Sequence, residues 1–148
     1  FSANILFQGA TSRDMYIEDV VRGQSTGGYT MVYPYQLDYW MPDNTDAKFP
    51  RIAMNSSVNG NNNYVTSDFW LVNGRYIRLK SLQLGYDFRS VLLKNIKWLY
   101  KCQVVLSGQN LFTISPATKY GFDPENGSTN NYDYPMQRVY AISLNLGF

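Results

Sequence analysis

The chain has 148 residues, of which 16% are charged and 16% aromatic, and its formal net charge is +2. That length suits one ordinary domain, and the charge is too small to suggest a nucleic-acid surface, so no nucleic-acid partner is expected. With no His and one Cys, Cys102, the sequence excludes imidazole catalysis, His-based metal sites and an internal disulfide.

The charged fraction lies below the ~25% of soluble domains. No run approaches the ~18 consecutive apolar residues of a transmembrane helix. The chain begins at Phe1 with no initiator Met and no secretory signal, as a mature protein or a fragment would. What it has instead is alternation. Successive side chains of a strand point to opposite faces, so a period of two marks a two-faced strand.

The first alternating segment is about residues 1–9. It sets Phe1, Ala3, Ile5 and Phe7 against Ser2, Asn4, Leu6 and Gln8. A long connection, residues 10–74, follows. It clusters Tyr29, Tyr33, Tyr35, Tyr39 and Trp40, whose rings suit stacking on sugars or on a protein partner. The alternative is that they pin the loop to itself. Asp43, Asn44 and Asp46 have calcium-type oxygens but no EF-hand spacing, and turn formation explains them as well. Gly23–Gly28 lacks the Lys and spacing of a phosphate loop. Asn73-Gly74, between Asp68–Val72 and Arg75–Leu79, predicts a hairpin.

The second segment, residues 75–88, sets Leu82, Leu84, Tyr86 and Phe88 against Ser81, Gln83, Gly85 and Asp87. Its earlier half, Ile77 and Leu79 against Arg78 and Lys80, has the opposite phase, which predicts a bulge or a strand leaving a bilayer there. A short apolar-basic connection leads to the third segment, residues 100–112. There Val104, Leu106, Gly108 and Phe112 oppose Gln103, Val105, Ser107 and Gln109, and Cys102 is read as a small apolar residue of the greasy face. Residues 113–136 form a second long connection rich in Gly, Pro, Asn and Asp. Its carboxylates Asp123 and Glu125 give only weak support to a glycosidase, and no enzyme activity, cofactor or metal is expected.

The fourth segment, residues 137–148, is the cleanest. Tyr140, Ile142, Leu144, Leu146 and Phe148 share one face, and the small, uncharged Ala141, Ser143, Asn145 and Gly147 the other. A transmembrane β-strand needs ~10 residues that alternate this way. Long, short and long connections fit strands running up, down, up and down, with residues 10–74 and 113–136 as external loops and a periplasmic C-terminus. Four strands cannot close in lipid, where an open edge strands unpaired backbone groups, so the segment is read as part of a larger barrel.

Together the segments resemble the C-terminal end of SusC/RagA-like TonB-dependent transporters of Bacteroidetes outer membranes. The stretches that carry the resemblance are Tyr39–Arg51, Ser67–Tyr86, Ser107–Thr113, Gly121–Glu125 and Tyr134–Arg138 with the final strand. The resemblance implies an all-β fold in which these are the last four antiparallel strands of a plugged, 22-stranded barrel. It implies import of oligosaccharide or peptide across the bacterial outer membrane, energised by TonB through a plug domain that this chain does not contain. The implied partners are the rest of the barrel and its plug, a SusD-like lipoprotein lid, TonB, outer-membrane lipid and the barrel-assembly machinery. Tyr33, Tyr35, Tyr39 and Trp40 would then contact ligand or lid. Tyr140, Ile142, Leu144, Leu146 and Phe148 would form the assembly signal. Two other readings stay open: a barrel subunit with a structural role in a larger envelope complex, and a secreted carbohydrate-binding β-sandwich.

Overall fold

The structure, a computed structural model, describes residues 1–18, 33–52, 62–63, 65–92, 96, 98–127, 129 and 133–148. Tyr29 and Gly23–Gly28 lie outside the described residues. The chain divides into two compact units. One holds residues 1–9, 77–114 and 136–148, and the other residues 10–76 and 115–135.

The first unit is a sheet. Its strands are β1 (Ser2–Ala10), β4 (Tyr76–Asp87), β5 (Lys101–Ile114) and β6 (Val139–Gly147), side by side in that order. Two further short strands, β2 (Asp14–Tyr16) and β3 (Leu71–Asn73), belong to the second unit. β4 pairs antiparallel with β5, and β5 with β6. The turn between β4 and β5 opens with a single helical turn, Arg89–Leu92, where Asp87 Oδ1 accepts the Arg89 N–H at 3.0 Å. Ile77 and Ile114 lie at one end of the β4–β5 register. Asp87 lies at the other, and Lys101 and Gly147 pair at that same end of β5. The fold is all-β and antiparallel, as the four alternating runs imply.

The phase change expected within residues 75–88 is located on the neighbouring strand instead. Leu79 pairs with Phe112, but Ser81 pairs with Gln109, so β5 carries one extra residue across that step. Asn110 absorbs it with φ of 51°, a left-handed conformation that Asn tolerates better than most residues. β4 keeps its alternation, and β5 changes face. Phe112 therefore does not share the face of Leu106, as its position in the sequence suggested. It sits opposite Leu79, and Ile114 sits opposite Ile77, while Arg78 Nε donates to Thr113 Oγ1 at 2.7 Å on the other face. Leu111 takes the place Phe112 was expected to fill: a Cβ on Gly108 would fall 2.6 Å from its side chain.

The second unit holds a small aromatic core. β2 and β3 pair antiparallel, Met15 opposite Val72, and Ile17 N–H extends the ladder to Trp70 O at 2.9 Å. Met15, Ile17, Phe49, Trp70, Val72, Ala117 and Phe122 are buried together. Residues 116–120 form a 3-10 turn whose ends are specified by sequence. Ser115 Oγ accepts the Ala117 N–H at 3.2 Å, and Pro116 supplies a φ already suited to a helical start. Gly121 ends the turn at φ of 79°, and Phe122 drops into the core behind it.

The Asn73-Gly74 hairpin does not form. β3 pairs with β2 rather than with the start of β4, Asn73 Oδ1 accepts the Arg75 N–H at 3.0 Å, and Gly74 N–H donates to Arg13 O at 2.7 Å. Gly74 has no positive φ, so its role is space rather than turning. A Cβ there would lie 2.6 Å from the Met15 side chain. Gly74→Ala is therefore expected to destabilise this unit by about 1–3 kcal/mol through overpacking, read as a lower denaturation midpoint in the full-length protein. An unchanged midpoint would show that Met15 moves aside freely.

Candidate functional site

The sheet has two chemically distinct faces, and the register assigns residues to them. Leu84, Leu106 and Ile142 form one cross-strand row; Tyr86, Val104 and Leu144 form the next, and Cys102 sits opposite Leu146. Gln83, Ser107 and Ala141 form a row on the opposite face, as do Asp87, Gln103 and Asn145. Val105, between Gly85 and Ser143, is the exception on the polar side. Cross-strand pairs of this kind contribute ~0.2–1 kcal/mol each, so they support the pairing but do not explain why the greasy face is bare. Ile142 is 78% exposed and Leu144 60%. A water-soluble chain rarely leaves a continuous apolar face that open. A sandwich would have to cover it with a second sheet, and among the described residues nothing covers Ile142.

On the polar face, neighbouring side chains lie close over Gly85. A Cβ at Gly85 would fall 2.5 Å from Ser2 Oγ and 3.0 Å from Gln103 Nε2. Small and uncharged side chains at Gly85, Ser107, Ala141 and Ser143 leave that face able to lie against another polar surface or water.

The residues expected to meet a ligand or lid divide into two groups. Tyr35 is central to the loop core. Its ring lies 5.2 Å from Phe49, 5.4 Å from Tyr120, 6.0 Å from Phe122 and 6.1 Å from Tyr33. Tyr33 packs on the same core, and its N–H donates to Gln36 Oε1 at 2.6 Å. These two rings hold the two long connections together, since Tyr35 comes from one and Tyr120 and Phe122 from the other. Trp40 is different. Its backbone N–H donates to Phe49 O at 2.9 Å, but the residue is 40% exposed. Tyr39, half-buried beside it, pairs with Phe49 through its backbone. The Met41–Asn44 turn follows, with Pro42 and Asp43 at its tip and mutual backbone hydrogen bonds at its base. Asn44 Nδ2 donates to Tyr39 O at 3.2 Å, and Asp123 Oδ1 accepts the Glu125 N–H at 2.9 Å. These groups are engaged as turn formers, and among the described residues no three His, Cys, Asp or Glu side chains gather as a metal set.

The long connections are tied by polar contacts as well. Arg13 Nη2 donates to Asn126 O at 2.6 Å, Glu18 N–H donates to Thr129 Oγ1 at 3.0 Å, and Thr129 Oγ1 donates in turn to Tyr16 O. Lys48 Nζ donates to Tyr120 OH at 2.7 Å and lies 5.5 Å from the Phe49 ring centroid. None of these hydrogen bonds is visible in sequence, because the partners are more than seventy residues apart.

Of the residues expected to signal assembly, Tyr140, Ile142, Leu144 and Leu146 lie on the bare apolar face in a row along β6. Phe148, just beyond it, stacks on Trp98 with ring centroids 5.5 Å apart and planes 8° apart. Sequence reasoning missed Trp98. The clue was available: a hairpin between residues 100–112 and 137–148 brings the residues before Tyr100 beside the end of the last strand.

No family model matches the chain. It is similar to TonB-dependent receptors P3 and P39 of Formosa agariphila, each 26% identical over 162 residues, with all of this chain aligned to 15% of the relative. The chain thus spans a small part of the curated relatives it matches. Among solved structures it is similar to the RagAB peptide importer in its open-open state, with 24% identity and a TM-score of 0.67 over 99% of this chain and 15% of that one. A second RagAB peptide transporter structure gives 23% identity and a TM-score of 0.64 over 99% of this chain and 16% of that one. The all-β fold is the antiparallel sheet of those barrel proteins, and the sequence matches one part of the TonB-dependent receptors along the whole of this chain.

Proposed function

We propose that this chain is the C-terminal, four-strand part of the barrel of a SusC-like, TonB-dependent importer in a bacterial outer membrane. The observation that carries this reading is the register, which lines up Leu84, Leu106 and Ile142 on a bare face and Gln83, Ser107 and Ala141 on the other. Lipid covers the first face. The plug or lumen water meets the second. The edges of β1 and β6 continue into the rest of the barrel, about 22 strands in all. The loop unit faces the cell exterior under a SusD-like lipoprotein lid, and the β4–β5 turn and Phe148 lie on the periplasmic side. TonB acts through the plug supplied elsewhere in the parent chain.

The cargo is an oligosaccharide or a peptide, and the likeness to a peptide importer supports the second. Trp40 and Tyr39 are the side chains of this chain that meet cargo or lid, since Tyr33 and Tyr35 hold the loop core. Tyr140, Ile142, Leu144, Leu146 and Phe148 form the signal that the assembly machinery reads. The test is cargo-dependent growth of cells whose full-length receptor is deleted and then restored. Growth on one oligosaccharide or peptide source should disappear with the deletion and return with the intact receptor. Trp40→Ala should restore wild-type amounts in the membrane but slower uptake. Normal growth after deletion, with a weakened envelope, would favour a structural subunit instead.

A further inference from the structure

Phe148 is held from outside its own strand. Trp98, from the turn between β4 and β5, stacks on it nearly face to face, with planes 8° apart. Tyr100 N–H donates to Gly147 O at 2.9 Å. A Cβ on Gly147 would fall 2.7 Å from the Tyr100 ring, so only glycine lets that ring lie against the strand end. Both stacked rings are nevertheless open, Trp98 at 67% and Phe148 at 72% exposure. They sit at the end of the β5–β6 pair, and β6 is the last strand of this sheet, paired on one side with β5.

A lone aromatic at a strand end samples several rotamers, and a partner must select one. A ring stacked on a neighbour is presented in a single orientation, as a two-ring ridge at the end of a strand whose other edge is open to pairing. We infer that Trp98 is a positioning residue for Phe148, and that the assembly machinery reads a composite epitope: the β6 edge together with the Trp98–Phe148 stack. The partner surface this fits is a strand-pairing edge flanked by an apolar slot wide enough for two rings. The inference rests on the reading of Phe148 as part of the assembly signal.

The test uses the full-length receptor, unfolded and then refolded into two kinds of vesicle. One kind contains the purified assembly machinery. The other is made of short-chain lipid alone, where insertion is spontaneous. Trp98→Ala should slow assembly about two- to tenfold in the first and leave the second at the wild-type rate. Trp98→Phe, which keeps a ring to stack, should restore most of the rate. In a Phe148→Ala background, Trp98→Ala should add nothing further. Equal slowing in both vesicles would mean a merely structural role, and additive losses would mean that Trp98 acts independently; either overturns the inference. Normal assembly of Trp98→Ala beside slow assembly of Phe148→Ala would leave Phe148 as a signal acting alone. Normal assembly of Phe148→Ala would remove the signal reading itself, and the inference with it.

Discussion

Trp70→Ala is expected to cost about 3–5 kcal/mol and to unfold the loop unit. Trp70 is 1% exposed, and its ring lies against Phe49 and Phe69 at centroid distances of 6.3 and 5.0 Å. Its carbonyl also holds Ile17 N–H, so the backbone of β2 is registered on the same residue. Removing the indole leaves a cavity at the point where both long connections converge. Limited proteolysis of the full-length receptor should show new cleavage within residues 10–76 and 115–135, with residues 77–114 still protected. Phe69→Ala is the control, because that ring is half exposed and its loss leaves little cavity. Equal proteolysis of wild type and Trp70→Ala would show that the loop unit is held by something other than this core.

Leu144→Arg is expected to cost about 2–4 kcal/mol if the residue meets lipid near the bilayer midplane. Ser143→Arg should cost far less. The two residues are neighbours on one strand, so propensity, register and loop effects are shared. Only the face differs: Leu144 pairs with Val104 on the apolar side and Ser143 with Val105 on the polar side. The measurement is urea-dependent folding of the full-length receptor into vesicles. Equal losses at the two positions would mean two buried faces, and hence a sandwich rather than a barrel wall.

The parts of this fold that were legible are those fixed by a period of two. Residues 140–148 alternate without exception, and the structure has β6 over Val139–Gly147 with Leu144 and Ser143 on opposite faces. Residues 82–88 behave in the same way, and residues 103–109 do so apart from Val105. Alternation fails as a guide where a strand contains an extra residue, because parity before and after it differs and nothing local marks the step. Asn110 is the only hint, and Asn occurs in many other settings. The Asn73-Gly74 pair misled for a related reason. Its local preference is for a hairpin, but the pairing of β3 with β2 and the space taken by Met15 outweigh a turn preference of that size. The loop core was illegible because it is non-local. Tyr35 was visible as one of a run of aromatics, but its partners Tyr120 and Phe122 come from the other long connection. Proximity in sequence therefore made Tyr33, Tyr35, Tyr39 and Trp40 look like one patch, whereas packing sets Tyr33 and Tyr35 on the loop core and leaves Trp40 exposed.

The extra residue at Asn110 uncouples two lengths that an unbroken strand would tie together. β4 and β5 remain paired as far as Ile77 and Ile114, past Leu111, the last β5 side chain on the face of Gly108 and Leu106. The backbone ladder is therefore taller than the apolar belt on that face. Phe112 and Ile114 do not lengthen that belt, because the one-residue frameshift turns them to the other side, where Leu79 and Ile77 receive them. The thickness of membrane such a wall would match is thus written at a single position in the chain. The strands can extend beyond it, as stiff posts for the loops they carry, without any change in the thickness they demand.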